Sequence, residues 1–275
     1  MMIRGLLLLF VALLPAPGFS QGEDPRVVLR TSLGPVEIAL FPAVAPVTVQ
    51  RFLARAGAAG GDGPVSYRGT VVCELRAGGW VTWGCRPGAE SGARPGPSGR
   101  AGEQPDEIDA RAMGLGGRSL GDAAARQNLW QLEIYPRYRH LVDAGRAVPL
   151  GLETLIEGLR RRGMAGTDAL EGRSRLWLLE ALGFEYTRGR SPWPVQRGAV
   201  ATANLWPGEA DERFLLAFRD LPARDGRATV FGRVVGGWDV LETIERLEVD
   251  KSHVPLRPIR LREIVPLPGD GKETR

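Results

Sequence analysis

Cysteine and histidine are both scarce in this sequence, which contains two of each among its 275 residues. Cys73 and Cys85 lie far along the chain from His140 and His253. Two lone cysteines cannot hold a structural zinc ion without further ligands at close spacing. The sequence therefore predicts no metal site, and no other motif in it requires a nucleotide or another cofactor.

A strong charge of one sign is also absent, because the net charge is only +4 and the basic residues are scattered. The densest basic run, residues 160–162, has no aromatic residues interleaved with it. We interpret this run as a solvated helix end, and we expect no nucleic-acid partner.

After residue 20 the chain has no apolar run long enough to cross a membrane. The first 20 residues resemble a signal peptide, with Arg4 before a short apolar run at 5–14 and the small residues Gly18 and Ser20 at positions −3 and −1. The alternative is an uncleaved anchor. We predict cleavage after Ser20 and export to the periplasm or the medium, where disulfides form.

Cys73 ends one strand-like segment, residues 70–73, and Cys85 follows another, residues 80–83. A glycine-containing turn separates the two segments. If these strands pair about Gly79, the two cysteines stand opposite each other, which suits a disulfide. The alternative is a pair of free, buried thiols.

The remaining patterns divide the chain into two β-rich parts with a helical stretch between them. Residues 26–41 alternate as a hairpin, and a helix begins at Pro46. Residues 86–107 have the composition of a loop, and residues 108–183 have helical periodicity. The predicted helices of that stretch are 123–132, 152–159 and 170–182, and strand patterns return after Pro194, followed by a helix over 238–247.

Three stretches of the sequence resemble the cyclophilin family of peptidyl-prolyl cis-trans isomerases. They are residues 31–53, TSLGPVEIALFPAVAPVTVQRFL; residues 67–70, YRGT; and residues 197–204, RGAVATAN, followed by 229–245, TVFGRVVGGWDVLETIE. Each stretch alone is a weak signal. Together, in this order and at both ends of the predicted mature chain, they identify the chain as similar to that family.

The resemblance implies a mainly β fold: a closed, eight-stranded antiparallel barrel with a helix capping each end and no exposed sheet edges. The helical stretch would be an insertion in this barrel. The predicted divisions are a signal peptide at 1–20, the first part of the barrel at 21–100, the insertion at 101–186, the second part of the barrel at 187–267 and a frayed tail at 268–275.

The family's reaction is rotation about an X-Pro peptide bond, against a barrier of about 18–20 kcal/mol that arises from amide resonance. A catalyst must hold the proline in an apolar pocket and place a hydrogen-bond donor that stabilises the twisted amide. The family uses an arginine on one strand as this donor.

At the position of that arginine this sequence has Glu74, which cannot donate when ionised. Gly79 and Trp80 stand at two pocket-wall positions, and Thr82 replaces a glutamine that supports the arginine. The catalytic position is therefore the main departure from the family pattern.

In the second half, Ala203 and Asn204 match the pair that binds the peptide backbone in the family. The other substrate-binding positions are occupied by Phe214, by Leu215 in place of a phenylalanine, and by Ala228 in place of a histidine. Arg213 replaces a second glutamine. One hypothesis is that Arg213 forms an ion pair with Glu74 across the groove and supplies the missing donor; the alternative is that both are ordinary rim charges.

The predicted function is therefore prolyl isomerisation on exported proteins, with proline-containing peptides or unfolded exported chains as partners. The alternative is a catalytically weak or inactive cyclophilin-like module that still binds peptides. For the insertion, contact with an unknown protein is one hypothesis, and a packed lid without a partner is the other.

Overall fold

The structure is a computed structural model that describes residues 24–57, 66–87, 106–209, 211 and 213–267. The predicted signal peptide, most of the loop at 86–107 and the tail at 268–275 lie outside the described residues.

Eight strands of the described residues form one antiparallel sheet. In chain order they are β1 (Arg26–Thr31), β2 (Gly34–Leu40), β3 (Val71–Arg76), β4 (Trp80–Cys85), β5 (Ala199–Thr202), β6 (Phe214–Ala217), β7 (Val230–Gly236) and β8 (Leu261–Pro266). Their order across the sheet is β3-β4-β6-β5-β7-β2-β1-β8. The prediction of eight antiparallel strands is confirmed.

The two edge strands, β3 and β8, meet at one place. Val71 forms an antiparallel bridge with Arg260. The Val72 amide donates to the Ile259 carbonyl at 3.1 Å, and the Leu261 amide donates to the Thr70 carbonyl at 2.8 Å. The sheet is therefore curled so far that its two edge strands touch. They form one bridge, whereas the closed barrel that was predicted would have a full ladder of hydrogen bonds between them.

The alternation of apolar residues explains the register of the first hairpin. Val27 pairs with Ile38 and Leu29 pairs with Val36. All four side chains are buried. Because side chains alternate between the two faces of a strand, a slip of one residue would expose all of them, so burial fixes the register.

Two helices contribute to the core inside the curled sheet: α1 (Pro46–Arg55) and α6 (Trp238–Glu245). Phe52 of α1 lies 5.3 Å, between ring centroids, from both Phe214 and Phe231. The buried residues of α6 belong to the same core cluster. The predicted helix starts at Pro46 and Trp238 are confirmed.

In the described part of the chain between β4 and β5 lie four further helices: α2 (Ala123–Leu129), α3 (Tyr135–Asp143), α4 (Leu150–Arg162) and α5 (Arg175–Ala181). They pack around a core cluster of their own, whose fully buried members include Leu115, Ile134 and Leu152. The predicted insertion boundaries at 101 and 186 stay a prediction, since residue 101 is outside the described chain.

Two details of this helical stretch differ from the sequence prediction. The helix predicted at 170–182 begins only at Arg175, because the Ser174 hydroxyl caps it by accepting from the Trp177 amide. Helix α3 was not predicted. It continues from α2 through a π-helical turn at residues 130–134. Pro136 lies two residues after the end of this turn, in the first turn of α3. A proline inside a helix removes a backbone donor and crowds the preceding turn, and a π turn is one way to relieve this.

Cys73 of β3 and Cys85 of β4 form a disulfide, with their Cα atoms 5.4 Å apart. It joins the two strands beside the residue at which the sequence analysis located the catalytic position. The disulfide is confirmed, but the predicted pairing about Gly79 is wrong: Arg76 pairs with Trp80 and Cys85 pairs with Val71, and register shifts along β3 bring Cys73 to Cys85.

Helix α1 has an unusual N-terminal cap. Its own N-cap residue, Ala45, offers no side-chain acceptor. Glu107, which lies far along the chain, accepts from the amides of Val47 at 3.1 Å and Thr48 at 2.8 Å. It also accepts from the Thr48 hydroxyl at 2.8 Å, and its own amide donates to the Thr229 hydroxyl at 3.0 Å. Glu107 therefore caps α1 with its carboxylate, and its backbone amide ties the helix to Thr229, the residue before β7.

Replacing Glu107 by alanine should lower the free energy of unfolding by about 1–3 kcal/mol, because it leaves buried amides without an acceptor. Urea denaturation measures this. The matched control is Glu153→Ala, which removes an exposed acid from the first turn of α4 and should cost less than about 0.5 kcal/mol. Equal losses for both variants would contradict the capping role.

Candidate functional site

The predicted site residues come together on three neighbouring strands. Glu74 of β3 pairs with Thr82 of β4, and Thr82 pairs with Leu215 of β6. Trp80, at the start of β4, pairs with Ala217. We call this surface the candidate groove; Glu74, Trp80 and Arg224 lie on it, with Leu215 and Ala228 beneath them.

The Glu74 carboxylate is held by two neighbours on its own hairpin. It accepts from Arg76 Nε at 2.7 Å through Oε1 and from Trp80 Nε1 at 3.2 Å through Oε2. Both oxygens thus have donors, and the indole N–H of Trp80 is already used. Neither side chain offers a free donor to a substrate here.

Arg213 has a local partner as well. Its guanidinium binds the Asp211 carboxylate at 2.6 Å, and its backbone amide donates to Asp211 Oδ1 at 2.8 Å. The hypothesis of a Glu74–Arg213 ion pair is therefore wrong. Both residues find partners two positions away, where little chain entropy is lost in bringing the charges together.

The guanidinium that does lie on the candidate groove is that of Arg224, which the sequence analysis missed. It stacks over the Trp80 ring at 4.5 Å from the centroid. Its Nη1 lies 3.4 Å from the Asn204 carbonyl oxygen, a long hydrogen bond. Arg224 ends a short 3-10 turn, residues 222–224, so no strand or helix period points to it in the sequence.

Burial lowers the pKa of Arg224 to about 10. The Glu74 carboxylate opposes this shift, whereas the positive charges of Arg227, Arg76 and Arg213 add to it. Arg224 still carries its proton at neutral pH, and the space around it is rich in positive charge.

The apolar part of the candidate groove is covered. Leu215 and Ala228 expose 0% and 1% of their surface and belong to one small core cluster. Trp80 packs against that cluster, and Arg224 in turn lies over Trp80. A proline ring could reach Leu215 only after these two side chains move.

Phe214, predicted to bind substrate, lies on the other face of β6. Its ring centroid is 5.3 Å from those of both Phe52 and Tyr67, in the core inside the curled sheet. Adjacent residues of a strand face opposite sides. Since Leu215 faces the candidate groove, Phe214 cannot face it too, and its assignment to substrate binding is wrong.

Gly79 and Ala203 are both held by backbone hydrogen bonds. The Gly79 amide donates to the Arg76 carbonyl at 2.8 Å, and its carbonyl accepts from Phe218. The Ala203 amide donates to the Arg213 carbonyl at 3.2 Å. Of the predicted backbone-binding pair, the Asn204 carbonyl is the group that faces a groove side chain.

The Asn204 side chain is buried and holds Asp106. Its Nδ2 donates to Asp106 Oδ1 and to the Trp206 carbonyl, both at 3.2 Å, while its own Oδ1 has no donor. Burial raises the pKa of Asp106 to about 7.

Trp206 connects the candidate groove to the helical stretch. Its ring lies between the guanidinium groups of Arg137, at 5.3 Å, and Arg227, at 5.4 Å. Glu133, in the π turn, binds Arg227 and also Arg175, the latter at 2.7 Å. The helices are therefore attached by charge pairs to the loops that carry the site.

Within the described ranges, no three histidine, cysteine or acidic side chains are grouped so that they could hold a metal ion. The same part of the chain contains no helix with the length and apolar character needed to span a bilayer.

The raised pKa of Asp106 predicts a pH dependence of stability. In the unfolded chain the carboxyl titrates near 3.8, and in the folded protein near 7. Between these values the folded state holds a proton that the unfolded state has released, so the free energy of unfolding should fall as the pH rises through this window.

Asp106→Asn mimics the protonated acid, so it should remove this slope and stabilise the protein at pH 8 relative to the unmodified chain. Urea midpoints between pH 4 and 8 measure the effect. The control is Asp122→Asn at the exposed cap of α2, where asparagine caps equally well and the slope should persist. An unchanged slope in Asp106→Asn would contradict the assignment.

Comparison with known proteins shows which family the chain resembles over most of its length. The family model described as cyclophilin type peptidyl-prolyl cis-trans isomerase/CLD matches residues 26–265. The peptidyl-prolyl cis-trans isomerase-like 3 protein of Gibberella zeae is 39% identical over 70 residues, which are 25% of this chain and 42% of that protein. The isomerase-like 2 protein of Cryptococcus neoformans is 32% identical over 109 residues, or 40% of this chain and 19% of that protein. The alignments thus span less than half of these relatives.

Among solved structures, a cyclophilin-type isomerase of Cryptosporidium parvum, also determined in the presence of the dipeptide Ala-Pro, is 16% identical with a TM-score of 0.49. The match covers 89% of this chain and 98–99% of those chains.

Proposed function

The chain belongs to the cyclophilin-type peptidyl-prolyl cis-trans isomerase family, and we propose that it binds proline-containing segments of exported proteins and isomerises their X-Pro bonds slowly. The observation that carries this proposal is the candidate groove itself. It stands at the strand positions where the family resemblance locates substrate binding, but Glu74 occupies the position of the catalytic arginine.

Slow turnover follows from the chemistry of the groove. Rotation about the X-Pro bond needs a donor that stabilises the twisted amide. The ionised Glu74 carboxylate only accepts, and it also uses the indole N–H of Trp80. The donor that remains on the groove is Arg224, which stacks on Trp80 rather than standing on β3.

A second candidate function is peptide binding without turnover. The burial of Leu215 and Ala228 beneath Trp80 and Arg224 favours it, because an isomerase needs an apolar pocket open to the proline ring. In this case the peptide would be held mainly at the rim of the groove.

Two features support export. The first 20 residues have the pattern of a signal peptide, and the Cys73–Cys85 disulfide is of the kind that persists in oxidising compartments. Exported polypeptides passing through such a compartment would be the substrates.

A proline-limited refolding assay on the chain from Gln21 tests the proposal. We expect weak acceleration by the unmodified protein, and an increase of roughly tenfold in Glu74→Arg, because this substitution restores a donor on β3. Glu263→Arg on β8 makes the same change of charge away from the groove and should leave the rate unchanged.

Binding of a labelled prolyl peptide separates the outcomes. If peptide binds but neither the unmodified protein nor Glu74→Arg accelerates refolding, the second candidate function is correct. If no peptide binds to either protein, both proposals are wrong.

A further inference from the structure

Four arginine side chains surround the candidate groove, and three of them have an acidic partner. The pairs are Arg76 with Glu74 at 2.7 Å, Arg213 with Asp211 at 2.6 Å, and Arg227 with Glu133. These carboxylates are therefore already engaged by neighbouring guanidinium groups.

Arg224 is the exception. Among the described residues, no carboxylate lies within ion-pair distance of it, and its contacts are the Trp80 ring at 4.5 Å and the Asn204 carbonyl at 3.4 Å. A partly buried guanidinium without an ion-pair partner is costly, and the nearby Glu74 carboxylate, which is engaged by Arg76 and Trp80, does not offset the loss of water. This cost points to a partner that arrives with a ligand.

The surroundings specify the charge of that ligand. The charges that act most strongly on Arg224 are one carboxylate, Glu74, and three other guanidinium groups. The positive potential at this point therefore favours an anionic group. Because one face of the planar guanidinium stacks on the indole, its edge is left to bind a carboxylate through two parallel hydrogen bonds.

We propose that Arg224 binds an acidic side chain next to the proline of the bound peptide, so that the groove selects X-Pro segments with a flanking aspartate or glutamate. This inference rests on the proposed function, because it needs the groove to take prolyl peptides. It adds a substrate class and the residue that recognises it.

The energetics allow this ligand to open the site. A peptide carboxylate that pairs with Arg224 would neutralise the positive charge of its guanidinium, which now contacts the Trp80 ring and makes one long hydrogen bond to Asn204. Drawing the guanidinium away from Trp80 would also uncover the apolar side chains below, Leu215 and Ala228. The same contact thus provides both selectivity and access for the proline ring.

The experiment compares two fluorescent peptides that differ only in the residue before proline, which is glutamate in one and its neutral isostere glutamine in the other. Polarisation titrations on the chain from Gln21 should give about tenfold tighter binding of the glutamate peptide at low salt. Added salt should reduce this preference, because a partly exposed ion pair is screened.

Arg224→Gln should abolish the preference, so that the glutamate and glutamine peptides bind with equal affinity, and Arg224→Lys should retain part of it, because lysine keeps the charge but not the planar fork. The matched control is Arg173→Gln. Arg173 also stacks on an indole, that of Trp177 at 4.6 Å, but it lies in the helical stretch, so the preference should persist.

Three results would overturn the inference. Equal affinity of the unmodified protein for both peptides would show that the groove does not select acidic residues. A glutamate preference that persists in Arg224→Gln would make Arg224 a cover over the groove and not a recognition residue. Failure of every protein to bind either peptide would overturn the proposed function, and the inference with it, which separates this result from the first two.

Discussion

Glu133 binds Arg227, and this contact joins the helical stretch to the loop beneath the candidate groove. Arg227 is 93% buried, so its charge is tolerable only because a carboxylate lies against it. The same guanidinium packs on Trp206, whose other neighbour is Arg137 of α3. Removing the helices would leave a buried arginine unpaired, so the sheet and the helices depend on each other. This gives the helical stretch a structural role beside whatever partner it has.

The buried acids near the start of that stretch act in the same way. Glu107 caps α1 and reaches Thr229, while Asp106 meets the side chain of Asn204. These two adjacent residues thus connect α1, the residue before β7 and the loop of the site. Arg76, Arg213 and Arg227 are each held by a carboxylate, whereas no carboxylate of the described chain lies within ion-pair distance of Arg224.

Much of the sheet could be predicted from the sequence, because its strands alternate and its turns are marked by glycine and proline. The pairing of Val27 with Ile38 and the Cys73–Cys85 disulfide both follow from local patterns, although Cys85 pairs in register with Val71. The site was harder to predict. Three residues predicted to share the site do lie on adjacent, paired strands: Glu74, Thr82 and Leu215. In contrast, Phe214 faces the core and Arg213 pairs with Asp211. An alignment of sequence motifs does not show which face of a short strand is buried. It also does not show which acidic side chain lies closest to a given arginine.

The sequence by itself determined the family, the antiparallel β pattern, the helix starts and the loss of the arginine at position 74. These are properties of residue type and of spacing along one segment. Only the tertiary structure decided how far the sheet closes, which charges pair, and that Arg224 lies over Trp80. Arg224 and Trp80 are 144 positions apart in the numbering and come from a turn and a strand. Their contact depends on how the strands are ordered across the sheet, so no local pattern could specify it.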